Sequence, residues 1–386
     1  MKIKKIILLF FLLIFTISCN RQEKLPNVDI DLKKIDKEFR SREYLKIKSE
    51  EIKKEKEEFK IFVVGDIMFH SPQIRAGKKE NGYDFSESFE EVKKFLKEKK
   101  EKTSLVIGNF ESTIAEDNFS GYPMFRTPEI AMKNIKDAGI DILALANNHS
   151  LDGGIKGIEL TKKTAQKYDI KTLGTYLQDE KNTIYIDETT GKKIAILNYT
   201  YGLNGLESRI KNKPHMVNLI DKEKILDDIE SAKKQNVKGI IAIMHWGNEY
   251  QRLQNKNQEE VAKFLAENGV DIILGSHPHV IQPTQKIQTH RGETFVIYSL
   301  GNFLSNQREK YMDQPYSEDG LILELTVNSQ DARLHVKKIK YHPTWVNRIE
   351  SPLKFEILIS DFSKRDKNTM EKLEKSKNRT LSHLEQ

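Results

Sequence analysis

The sequence predicts an α/β protein, and three observations carry that prediction. Short apolar runs alternate with amphipathic stretches from Phe59 to about Phe303. Nearly every apolar run ends in a polar or ionisable residue. Apolar residues make up 38% and charged residues 31% of the 386, enough for one large core or two ordinary ones beside long solvated segments. Strands alternating with helices imply a sheet covered by helices, and in such folds ligands bind beyond the C-terminal ends of the strands.

The first stretch stands apart. Lys2, Lys4 and Lys5 precede an apolar run from Ile6 to Ile17 that is too short to cross a bilayer. It ends at Thr16-Ile17-Ser18-Cys19, and residues 1–19 resemble a bacterial lipoprotein signal, with Thr16 a departure from the usual aliphatic residue. Cys19, the single cysteine, then becomes the mature N-terminus and carries a lipid anchor. The expected location is extracytoplasmic, on a bacterial membrane, with a body that folds without a disulfide. Residues 20–58 are polar and dense in Lys and Glu, and read as a charged tether.

The domain proper is expected over 59–345. Ile61-Phe62-Val63-Val64 leads to Asp66, and Leu105-Val106-Ile107 leads to Glu111. Ile142 to Ala146 leads to Asn148 and His149, and Ile194 to Leu197 leads to Asn198. Ile240 to Met244 leads to His245, Ile272 to Leu274 leads to His277 and His279, and Phe295 to Tyr298 leads to Asn302. The spacing predicts helices over 89–99, 128–138, 157–168, 222–235 and 258–268. Alternation from Gly320 to His342 predicts closing antiparallel strands. Residues 346–386 read as a polar, basic tail. Net charge is +7, spread over mixed Lys and Glu, which reads as a solvated surface rather than a nucleic-acid footprint; nothing interleaves basic and aromatic residues as nucleic-acid binding would.

The residues at the strand ends carry the chemistry. Asp66, Glu111, Asn148, His245, His277 and His279 offer two carboxylates, one amide and three imidazoles. A set of O and N donors without thiolate suits Mn, Fe, Zn or Mg. A pair of cations bridged by carboxylate can promote displacement at phosphorus. Pro278 between His277 and His279 predicts a stiff, extended backbone that sends both rings into one volume. His149 stands next to Asn148 and is placed to protonate a leaving group, with Asp152 orienting it and Gly153-Gly154 allowing a tight turn. The bland readings are chance His-X-His spacing and carboxylates that cap helices; the shared strand-end position weighs against both.

The same residues resemble a known family. Gly65-Asp66-Ile67-Met68, Asn109-Phe110-Glu111, Ala146 to Gly154, His245 to Tyr250, Gly275 to Val280 and Ser299 to Phe303 are similar to the CapA family of bacterial capsule (poly-γ-glutamate) biosynthesis proteins. The resemblance implies a calcineurin-like metallophosphoesterase fold, a four-layer α-β-β-α sandwich. It implies two divalent transition metals (Mn, Fe or Zn) held by Asp66, Glu111, Asn148, His245, His277 and His279, with His149 as proton donor. Trp246 and Tyr250 would flank the substrate cleft. Two departures stand out: no histidine lies two residues after Asp66, and Glu111 replaces the more usual aspartate. Arg126, in Tyr122 to Pro128, is a candidate for binding an anionic substrate or for a structural ion pair.

Three functions follow as expectations. The first is a lipid-anchored, metal-dependent hydrolase or transferase in assembly of a capsule or other anionic surface polymer, beside membrane proteins of capsule synthesis and export. The second is a phosphodiesterase or nucleotidase of the same fold. The third is a non-catalytic surface lipoprotein that binds the polymer.

Overall fold

The computed structural model describes residues 58–180 and 184–384. The signal segment, Cys19 and all of the tether up to residue 57 lie outside the described residues. Fourteen strands, numbered here in chain order, form two large sheets. They are β1 (Glu58–Ile67), β2 (Leu105–Phe110), β3 (Ile142–Ala144), β4 (Lys171–Leu173), β5 (Tyr185–Asp187), β6 (Ile194–Thr200) and β7 (Ile240–His245). They continue with β8 (Ile272–Ser276), β9 (Ile281–Thr289), β10 (Gly292–Leu300), β11 (Asn302–Leu304), β12 (Asp319–Gln330), β13 (Arg333–Glu350) and β14 (Leu353–Ile359). The first sheet runs β14-β13-β12-β1-β2-β3-β4, with β11 also paired to β1. The second runs β9-β10-β8-β7-β6-β5.

The central strands β1, β2, β3 and β4 are mutually parallel, as are β6, β7, β8 and β10. Strands buried on both faces read as continuous apolar runs, which is why these were visible in the sequence. Side chains alternate across each strand. Ile61 and Val63 of β1 pack with Ile241 and Ile243 of β7 between the sheets. Phe62 and Val64 point the other way, onto Val92, Phe95 and Leu96 of α1 (Glu90–Lys99) and Met132 and Ile135 of α2 (Ile130–Asp137).

After α3 (Gly154–Lys167), two further helices cover the second sheet: α4 (Lys222–Lys234) and α5 (Lys256–Asn268). Their Ile225, Ile229, Val261 and Leu265 pack on Ala242 and Met244 of β7. Asp221 caps α4 by accepting the Lys224 N–H, and Asn255 and Gln258 form a reciprocal cap on α5. The result is the expected four layers, α-β-β-α.

The domain does not stop at residue 345. β13 runs to Glu350, and β14 pairs with it over Leu353–Ile359. Phe355, Ile357 and Ile359 are buried in the helix-facing core, so the expected tail supplies an edge strand. The chain then enters α6 (Lys367–Leu384), whose Leu373 packs on Trp345 and Leu358. Ser376 Oγ and an Arg379 guanidinium nitrogen each donate to Asp319 at 2.6 Å. Burying these apolar side chains is worth about 1.5–3 kcal/mol each, which explains why a Lys-rich segment is nonetheless docked. Among the described residues no helix is long and apolar enough to cross a membrane.

Candidate metal centre

The parallel strands of both sheets end on the same side, and their ends build one buried cluster. Asp66 lies near the end of β1, Glu111 follows β2, and Asn148 and His149 follow β3. His245 ends β7, while His277 and His279 follow β8. Glycines let the backbones come close enough. A Cβ on Gly65 would sit 1.9 Å from the Gly301 carbonyl oxygen, and one on Gly275 would sit 1.9 Å from the Tyr298 carbonyl oxygen. Gly154 takes φ 65°, as the turn after His149 requires.

Asp66, Glu111 and His245 are fully enclosed, and Asn148, His277 and His279 nearly so. His279 Nδ1 is 3.1 Å from Asp66 Oδ2, and His279 Nε2 is 3.8 Å from Glu111 Oε1. His245 Nε2 is 3.5 Å from Glu111 Oε1 and 2.8 Å from Asn148 Oδ1. Two ligand groups result: Asp66, Glu111 and His245, and Glu111, His277 and His279. Within each group the candidate atoms lie within 4.8 Å of one another, and Glu111 belongs to both. The six expected ligands therefore converge.

Two buried atoms in the cluster have no hydrogen-bond partner: Glu111 Oε1 and His277 Nδ1. Unpaired buried polar atoms are costly, and a shared cation would satisfy both. The electrostatics agree. Burial, and then the charge of Asp66, push the Glu111 carboxyl up to about 8. Burial also opposes charge on Asp66, but the hydrogen bond and charge of His279 outweigh it and hold that carboxyl below its usual value. Burial works against a charged His279 too, yet Glu111 and Asp66 raise it to about 9. Burial pushes His245 down to about 3 and His277 well below its ordinary value. The neutral imidazoles of His245 and His277 beside two crowded carboxylates suit a divalent cation, which would take the place of the proton on His279.

The backbone at the His-X-His stretch is not extended as expected. His277 has φ 98° and His279 φ 58°, both in the left-handed region. Pro278 blocks the right-handed helical region for the residue before it. The turn instead kinks at both histidines, and their ring centres come to 5.8 Å.

His149 and Asp152 form the expected pair, with Nδ1 to Oδ2 at 2.7 Å and both residues buried. Burial opposes charge on His149, but the hydrogen bond and charge of Asp152 outweigh it and hold its pKa above the ordinary value. Asp152 Oδ2 also accepts from the Phe125 backbone N–H, and Phe125 packs edge-on to His149 at 4.7 Å.

The expected cleft residues fare differently. Trp246 is buried, donates from its indole N–H to the Tyr298 carbonyl at 3.0 Å, and belongs to the core under α4 and α5. It does not flank a cleft; the pleat that points His245 at the cluster points Trp246 away. Tyr250 stays near the centre, 6.1 Å from His279 between rings, and accepts from Gln307 at 3.1 Å. Arg126 is partly exposed, and its charged partner is Asp117 at 4.0 Å. Two residues not singled out belong to the site. Asn109 donates to Asp66 at 2.8 Å and to Glu111 at 3.3 Å, and accepts from Asn147 at 3.2 Å. Its place near the end of β2, two residues before Glu111, was the available signal. Tyr201 lies 4.6 Å from His277 between rings and remains 48% exposed, so it roofs the cluster from the solvent side.

Comparison with known proteins follows the same lines. The chain is 31% identical over 267 residues to the capsule biosynthesis protein CapA of Bacillus anthracis, covering 66% of this chain and 61% of that one. It is 33% identical over 208 residues to the PGA biosynthesis protein CapA of Bacillus subtilis (strain 168), covering 52% and 53%. It thus spans little more than half the length of these curated relatives. Among solved structures it is similar, at a TM-score of 0.44 and 14% identity, to a calcineurin-like phosphoesterase of Bacillus subtilis, over 85% of this chain and 99% of that one. The sulfate thiohydrolase SoxB of Thermus thermophilus is similar at 0.44 and 10%, over 84% and 60%. Neither likeness is close enough to bear on activity. Residues 60–307 match the family described as bacterial capsule synthesis protein PGA_cap, and the chain belongs to that family.

Proposed function

We propose that this protein is a metal-dependent hydrolase or transferase acting on an anionic surface polymer of the poly-γ-glutamate type, or on its precursor. The observation that carries the reading is the pair of atoms without a hydrogen bond, Glu111 Oε1 and His277 Nδ1, inside a buried set of O and N donors. Asp66, Glu111, Asn148, His245, His277 and His279 would hold two divalent cations, with Glu111 common to both. When bound, such cations supply Lewis acidity and offset negative charge that develops on the substrate.

The remaining steps belong to the chain. Asp152 Oδ2 accepts from His149 Nδ1–H, which fixes the tautomer and favours the imidazolium. His149 Nε2 then delivers a proton to the departing group. Asn109 holds Asp66 and Glu111 in register through its amide N–H groups. Tyr201 and Tyr250 wall the approach to the cluster. Lipid attachment at Cys19, an extracytoplasmic location and work beside capsule-export membrane proteins complete the proposal.

The test is a substrate panel run on the full chain with its metal content measured. Phosphoesters and γ-glutamyl polymers are compared with and without chelator. Chelator-sensitive turnover of either class supports the reading and names the substrate. A metal-loaded chain that turns over neither, yet retains the polymer, would leave a binding protein.

A further inference from the structure

His70 is an imidazole that the metal ligands do not use. It precedes the helix Ser71–Gly77, and its side chain makes no cap there. Its Nδ1 accepts the Asn306 backbone N–H at 3.2 Å. A neutral ring that accepts at Nδ1 carries its proton on Nε2. Nε2 makes no hydrogen bond to any described residue and is not among the buried atoms sealed from solvent. Burial, with the charges of His279 and His149 acting in the same direction, pushes the His70 pKa down to about 3. An Nδ1 that accepts carries no proton, so the hydrogen bond from Asn306 holds the ring in its neutral form.

Its place in the site is also fixed. The His70 ring packs edge-on to Phe125 at 4.9 Å, and Phe125 packs edge-on to His149 at 4.7 Å. The two histidines thus flank one aromatic wedge. The loop carrying Phe125 is fastened to the same spot: Gly121 N–H donates to Ser71 Oγ at 3.2 Å. A Cβ on Gly121 would sit 2.4 Å from the Ser71 nitrogen, so only glycine permits the approach.

We propose that His70 Nε2–H is a fixed, uncharged hydrogen-bond donor for an anionic oxygen of the substrate, either phosphoryl or carboxylate. The proposal rests on the reading of the adjoining cluster as the reaction centre. A neutral imidazole N–H donates without giving up its proton, and it does not repel cations held nearby. His70 and His149 then divide the work. One positions an oxygen, and the other transfers a proton.

The experiment uses the full chain loaded with Mn²⁺, with inorganic phosphate and glutarate as probes of the two oxygen types. Metal content and anion affinity are measured for wild type, His70→Ala and His70→Gln. Nitrogen-15 spectra of histidine-labelled wild type report the His70 tautomer. His70→Ala should keep its metal and bind one of the anions roughly tenfold more weakly, the loss of one hydrogen bond. His70→Gln, whose amide restores a donor and an acceptor, should recover most of that. The spectra should show the proton on Nε2, with a shift on adding the same anion. Unchanged affinity for both anions in His70→Ala overturns the proposal, as does a proton on Nδ1 or a wild type that takes metal but neither anion. A lost metal equivalent in His70→Ala makes His70 a ligand and also overturns it. A wild type that takes no metal instead sinks the reading of the cluster, and His70 with it.

Discussion

Replacing Glu111 by glutamine should have opposite effects on the metal-depleted and metal-loaded protein. In the depleted fold the Glu111 carboxyl is raised from about 4.5 to about 8 by burial and by Asp66. The unfolded chain releases this proton above its ordinary pKa while the fold retains it. The group therefore costs stability that grows as pH rises from about 4.5 towards about 8. At about 1.36 kcal/mol per pH unit, the cost at pH 7 is at most about 3 kcal/mol, because the same carboxylate also supports the charged His279, and at pH 5 it is under about 1 kcal/mol. Glutamine keeps the shape and removes the titration. Its carbonyl can still accept from Asn109. Chelator-treated Glu111→Gln should resist urea better than chelator-treated wild type at pH 7, with the gap closing towards pH 5. With cation at about 100 times its dissociation constant, wild type gains about 2.7 kcal/mol per site and Glu111→Gln gains little, so the order reverses. If the depleted variant is no more stable than wild type at pH 7, the crowded-carboxyl account of this cluster is wrong.

Three further outcomes are expected. His277→Ala should weaken cation binding about 100-fold or more, because loss of outer hydrogen-bond partners alone costs about 10- to 100-fold; calorimetric metal titration checks it, and urea unfolding of the depleted variant should show only the lost packing of one buried ring on Tyr201 and His245. Asp152→Asn removes the charge that holds the His149 pKa up, so the basic limb of the pH–rate profile on an aryl phosphodiester should move to lower pH. An unmoved limb would remove His149 as the proton donor. Leu373→Ala in α6, 1% exposed against Trp345 and Leu358, should cost about 3 kcal/mol in urea unfolding. A loss below about 1 kcal/mol would mean that the C-terminal helix is not part of the domain.

The parts of the fold that were legible in the sequence are those with one dominant physical signal. Central parallel strands such as Ile240–His245 are apolar on both faces, so no register was needed to find them. β14 was missed because Lys354 and Glu356 interrupt Phe355, Ile357 and Ile359, and a short half-buried strand looks like polar tail. β13 was cut short because Pro343, which lacks a ladder donor, lies inside it. In the site, the convergence of the candidate ligands was readable because carboxylates, an amide and imidazoles recur at the ends of several strands. Side-chain direction was harder. His245 and Trp246 are neighbours, yet alternation sends one to the cluster and the other to the core. Tyr201 carries no motif and lies beyond its strand, so only the folded geometry brings it over His277.

The left-handed backbone at His277 and His279 has a consequence for how the site would meet the proposed cation. Each such residue is held at a cost of about 1–3 kcal/mol, sustained by the packing of β8 between β7 and β10. The receptacle is thus cast during folding, and an arriving ion does not have to order a loop. The same arrangement makes it brittle. Loosening the end of β8 releases both histidines together, so a domain loaded with the proposed cation should drop it at a lower temperature than it unfolds.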